Sequence, residues 1–204
     1  MSLRHCVNGK QIKGDDKYGP TYALTISPET LRFQIAYYAA YGLKLQTGYC
    51  SNTFQCTYEP DPTKWILCYL PPYYLQWWNI RYPNDAIDPD KGPFAMQAAQ
   101  KIQGKPNAGN RWKENLDKHL TKHGYNCNNV DKAFYTYHDN TIDLQAMLST
   151  TVDDFLLSFT SSIIQDNFFT FMQRAFDITT LGYQPQLQFI SLRIYQSDKG
   201  RSID

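Results

Sequence analysis

Apolar positions recur at helical spacing after Ser27. Leu31, Ile35, Tyr38 and Ala39 share one face, Ser27 suits an N-cap, Pro28 the first helical position, and Glu29 the positive end of the helix dipole. Gly42 can end that helix. Before it, residues 4–25 are rich in Gly, Lys, Asp and Tyr with no period, and read as a loop with at most short strands. Residues 43–58 read as a strand running into a turn or short helix. Lys64 to Leu70 reads as a second strand, stopped by Pro71 and Pro72, which cannot donate to a ladder. From Tyr73 to Pro93, Trp77, Trp78 and Tyr82 mix with Pro, Asp and Asn, predicting a long connection packed by its own rings. Phe94 to Gln103 is a short helix or strand, and the following GKPNAGN is a loop.

The second half is more regular. Trp112, Leu116 and Leu120 fall on one face of a helix running from about Arg111 to His123. Phe134 to Tyr137 is a strand followed by a polar turn. Ala146 to Leu157 carries two apolar runs around Asp153 and Asp154, the pattern of a hairpin. Ile164, Phe168, Phe171, Met172 and Ala175 mark an amphipathic helix over Ser161 to Ala175, and LQFISLRIY is a final strand. The order is helix, strand, strand, helix, three-strand meander, helix, strand. It predicts an α+β architecture, an antiparallel sheet with helices packed on one face.

Composition narrows the class. The chain has 204 residues, 42% hydrophobic and 15% aromatic, with 16 tyrosines, so a folded core is expected. It has no apolar run of about 18 residues and no signal-peptide pattern, which predicts an intracellular protein with no membrane span. Cys6, Cys50, Cys56, Cys68 and Cys127 form an odd set without CxxC spacing, so free thiols are expected rather than a zinc site. The net charge of +1 lacks the basic excess of a protein that covers many phosphates.

Two features carry candidate chemistry. Asp153 and Asp154 place like charges side by side at a bend, which costs free energy unless a cation, often a divalent metal, sits there. An ordinary solvated Asp-Asp turn is the alternative. His119 and His123 lie four apart on a helix and could share a metal, but neither an HExxH context nor a matching carboxylate accompanies them. A solvated helix face is the reading they support.

The chain resembles the reverse transcriptase region of copia-type retrotransposon polyproteins. The motifs run in that family's order over nearly the whole length. GKQIKGDDKYGPTYAL is similar to the lead-in to the polymerase, LRFQIAYYAAYGLKL to a helix of the form LRxLLALAAxxxxxL, and ILCYLPPYY to a strand ending in Pro-Pro-Gly-aromatic. IQGKPNAGNRWKENLDKHLTKHGY is similar to YGLKQAPRxWxxxLxxxLxxxGF, TTVDDFLL to YVDDLL, and FDITTLGYQPQLQFISLRI to FxMxDLGxxxxFLGIxI.

The resemblance implies a single partial domain over 1–204. Its fingers remnant lies near 1–44 and 62–103, and its palm-like antiparallel sheet over 45–61 and 104–204. In the family, two magnesium ions bridged by carboxylates from two places activate the primer hydroxyl and hold the triphosphate. Asp153 and Asp154 inherit one place, as metal and catalytic ligands. The other begins a D-x-x-x-x-F motif that aligns with YCSNTF, where Phe54 keeps the sugar-gate position and Tyr49 replaces the aspartate. Gly104 and its loop correspond to the nucleotide-contact segment. A phenol, of pKa about 10, is neutral at pH 7 and a poor magnesium ligand. Thr151 and Ser191 also depart from the family pattern, and its upstream fingers, thumb and RNase H region have no counterpart here. The implied function is thus a degenerate polymerase with weakened or lost binding of template-primer and dNTP, and no productive Mg2+ site. The alternative is a repurposed fold serving as a structural or interaction subunit of a larger assembly.

Overall fold

Ser27 sets the first helix through its side chain. In the computed structural model, which describes residues 24–51, 53, 66–92, 94–98, 107–139, 143–197 and 200–203, its Oγ accepts from the Thr30 N–H at 3.2 Å. Helix α1 then runs Pro28–Ala40, and Gly42 follows with φ +65°. Three further helices and eleven strands make up the described elements: β1 Gln46–Ser51, β2 Ile66–Tyr69, α2 Pro72–Arg81, β3 Ala95–Ala98, α3 Ala108–Lys122, β4 Tyr125–Cys127, β5 Phe134–His138, β6 Leu144–Thr151, β7 Asp154–Phe159, α4 Ser162–Ala175, β8 Asp177–Tyr183, β9 Gln186–Phe189, β10 Leu192–Ser197 and β11 Gly200–Ile203.

Six strands form the main sheet in the order β4-β5-β6-β7-β1-β8, and every neighbouring pair is antiparallel. Strands β9 to β11 form a three-stranded sheet, and β2 pairs with β3 alone. The fold class is α+β, with an antiparallel sheet at its centre.

The helices do not share one face, which corrects the expected layering. Along β5 to β7 the side chains alternate between two apolar clusters. Tyr135, Leu148, Phe155 and Leu157 pack with Trp112, Leu116 and Leu120 of α3 and with Phe168 and Met172 of α4. Phe134, Met147 and Leu156 pack on the other side with Leu31, Ile35 and Tyr38 of α1 and with Leu187, Phe189 and Ile194 of the small sheet. Strand alternation sends successive side chains to opposite faces, so a run buried throughout needs cover on both. The α1 side also holds a buried polar network. Gln34 Nε2 donates to the Tyr38 hydroxyl at 2.7 Å, that hydroxyl donates to Met147 O at 3.0 Å, and Ser149 Oγ donates to Gln34 Oε1.

Other differences follow from local patterns. The expected connection over 73–93 contains α2 and two short 3-10 turns, Pro83–Asp85 and Pro89–Lys91. Leu75 is the one buried residue of α2, so the helix leaves no amphipathic trace in the sequence. The expected final strand is two strands, β9 and β10, split at Ile190, which has φ +58°. Strands β4 and β8 are additional edge strands of the main sheet. Residues 95–98 take the strand alternative for 94–103. Cys68 and Cys127 are free thiols and Cys50 is buried, while Cys6 and Cys56 lie outside the described residues. Among the described residues no helix is long and apolar enough to cross a membrane.

Candidate functional site at the aspartate turn

The hairpin of β6 and β7 turns through two residues, Val152 and Asp153, with Thr151 paired to Asp154. Val152 takes φ +47° at the first loop position, as a type II′ hairpin turn requires. A β-branched residue there is strained by about 1–2 kcal/mol. Three contacts hold it. Trp112 Nε1 donates to Val152 O at 2.5 Å, Cys50 N donates to Asp153 O at 2.8 Å, and Ile26 N donates to Thr150 O at 3.2 Å. Trp112 is itself buried on α3, edge-on to Phe176 at 5.0 Å. The turn is therefore fixed from the helix layer, from β1 and from the segment ahead of α1.

Register decides what faces the carboxylates. Tyr49 on β1 is the direct cross-strand partner of Asp154 on β7, and Thr179 on β8 is the partner of Tyr49 on its other side. Directly opposed residues have Cβ atoms about 4.5–5.5 Å apart on the same face. Asp154, Tyr49 and Thr179 thus form one row across three strands. Gly48 lets the strands close beside them, because a Cβ there would sit 3.2 Å from Leu157 Cδ1. With Gln188 and Ile190 the row lines an open cleft of about 330 Å³. Partial loss of water raises the Asp154 carboxyl above its ordinary pKa, and the neighbouring Asp153 charge adds to the rise. Among the described residues, no lysine or arginine forms an ion pair with either carboxylate.

The neutral phenol of Tyr49 faces Asp154 across the strands, and among the described residues no group of three or more His, Cys, Asp or Glu is placed to hold a metal. Phe54 and Gly104, the other site residues named from the sequence, lie outside the described residues.

His123 is exposed, as a solvated face requires, and its ring stacks on Phe171 of α4 at 4.0 Å and 8°, whereas His119 is half-buried and meets Phe176 edge-on at 4.9 Å. The sequence did not single out Trp112 as a holder of the turn. Its i, i+4 relation to Leu116 and the separate Val-Asp-Asp run carry no local sign that they meet.

No known protein family and no curated protein matches the sequence. Among solved structures the chain is similar to telomerase from Candida albicans in complex with a fragment of telomeric RNA. The TM-score is 0.45 at 12% identity, over 90% of this chain and 35% of that one. The chain thus spans about a third of the length of the structure it matches.

Proposed function

We propose that the chain is a degenerate reverse transcriptase domain of copia type that does not polymerise. In this reading residues 45–61 and 104–204 form the palm, residues near 1–44 and 62–103 are a fingers remnant, and Asp153 and Asp154 are the surviving half of a metal site. The observation that carries the proposal is the register pairing Tyr49 with Asp154. The motif alignment calls for one acidic residue beside the aspartate turn, and Tyr49 occupies that position. Losing a carboxylate that would bridge both ions removes the charge stabilisation on which nucleotide transfer depends.

Primer extension on an RNA template, with magnesium or manganese, tests this directly. The chain is expected to add no nucleotide. Incorporation above a protein-free blank that is lost in Asp153→Asn/Asp154→Asn would refute the inactive reading. In Tyr49→Asp, manganese binding is expected to rise even where extension does not return.

A second reading is favoured by exposed rings on a different part of the chain. Tyr69, Tyr73 and Trp77 are 75%, 50% and 51% exposed, and Ile80 is 83% exposed. Such a surface suits a structural or interaction subunit. Stable co-migration with other proteins on native purification supports that role, and a free monomer counts against it.

A further inference from the structure

His119 and His123 stand at the C-terminal end of α3, away from the aspartate turn, and nothing in the proposed function uses them. Their rings are tilted by 55° with centroids 5.0 Å apart. With metal–nitrogen bonds of about 2.0–2.1 Å and bond angles of about 90–110°, two imidazoles sharing one ion have centroids roughly 4.5–5.3 Å apart. The observed separation falls in that window with no ion to impose it.

The tautomer of His119 is fixed by its surroundings. Its Nε2 lies 3.2 Å from Phe171 O. A carbonyl can only accept, so Nε2 carries the proton and Nδ1 keeps the lone pair. An imidazole that donates its far N–H to a backbone carbonyl is the usual state of a metal-ligating histidine. Both rings are also held in place. Phe171 stacks on His123, and Phe171 and Phe176 flank His119 at 5.5 and 4.9 Å. Ligands already ordered lose little entropy on binding.

We propose that His119 Nδ1 and a ring nitrogen of His123 form a two-point site for a borderline divalent transition metal of the nickel, copper and zinc class, with water filling the remaining positions. Two imidazoles without a carboxylate select such ions over magnesium and calcium. Lys122 from α3 acts electrostatically on both rings and Arg174 from α4 on His123, and these two cations repel a dication. This site therefore tightens as salt rises and screens them, the reverse of ion binding to the carboxylates of the aspartate turn.

Calorimetric titration and thermal unfolding of the untagged full chain with nickel chloride at pH 7.5 test the site. One equivalent is expected to bind and raise Tm, affinity is expected to grow with ionic strength, and magnesium chloride is expected to do neither. His119→Gln/His123→Gln is expected to lose the nickel response. Lys122→Gln, an exposed change that leaves the fold and both ligands intact, is expected to tighten binding several-fold. A native chain with no nickel response overturns the proposal. So does a response that survives in the double variant, weakens with salt, or is not strengthened by Lys122→Gln.

Discussion

Replacing Gln196 with alanine should release the three-stranded sheet from the main one. Gln196 is 4% exposed on β10, and its amide reaches across to the residue ahead of β1. The Leu45 N–H donates to Gln196 Oε1 at 2.9 Å, and Gln196 Nε2 donates to Leu45 O at 2.8 Å and to Gln184 O at 2.7 Å. Gln184 is exposed, so water can replace that third bond. Leu45 is fully buried, and its two backbone groups would lose their partners in the interior. Each such orphan costs about 1–3 kcal/mol, giving about 2–6 kcal/mol in all. That is a large part of a typical total of about 5–15 kcal/mol. With a urea slope of about 2 kcal/mol per molar, the unfolding midpoint followed by circular dichroism should fall by about 1–3 M. A fall of less than about 0.3 M would mean that the amide is not the tie between the sheets. Gln196→Glu sharpens the test through its sign. Next to Leu45 O the new carboxyl must keep its proton to donate, so its folded pKa lies above the unfolded value of about 4.3. That variant should approach native stability near pH 4 and lose it as pH rises beyond that value.

Three other expectations follow from the geometry. Trp112→Phe removes the donor to Val152 O and should cost about 1–2 kcal/mol in urea unfolding; adding Val152→Gly, which relieves the positive φ, should give a non-additive double-mutant cycle, and strict additivity would deny that the indole holds the turn. Gly124→Ala should destabilise more than Gly42→Ala, because both positions have positive φ but only at Gly124 would the new methyl lie 3.2 Å from Tyr137 Cε2; equal unfolding midpoints would contradict this ordering. Burial lowers the folded-state pKa of His119 and His123, so metal-free stability should be full above the unfolded imidazole value of about 6.5 and decline as pH falls below it; His119→Gln/His123→Gln should flatten that decline in a pH series of thermal melts.

Helices α3 and α4, buried along one face, were legible in the sequence because burial and periodicity coincide there, with α3 starting at Ala108 rather than Arg111; the β5-β6-β7 meander, buried on both faces, was legible as short apolar runs. Helix α2 was hidden because Tyr73 and Trp77 are exposed and only Leu75 is buried. The break between β9 and β10 was hidden because Ile190, with no glycine or asparagine to mark it, takes the left-handed turn. Strand β8 buries only Ile178, too little to show alternation. The aspartate pair was visible as a local motif. That Tyr49 faces it depends on the pairing of β1 with β7, more than a hundred residues apart, and only the motif order of a resembling family pointed there.

The double burial of the β6-β7 hairpin has a consequence for how its tip can behave. Leu148, Phe155, Leu156 and Leu157 are fully buried, wedged between two apolar layers. Amide hydrogens along this hairpin should exchange with solvent only through near-global opening, later than those of the exposed edge β8. The carboxylates therefore ride on a segment packed from both sides, and a cation or protein that meets them docks onto a preset hairpin tip.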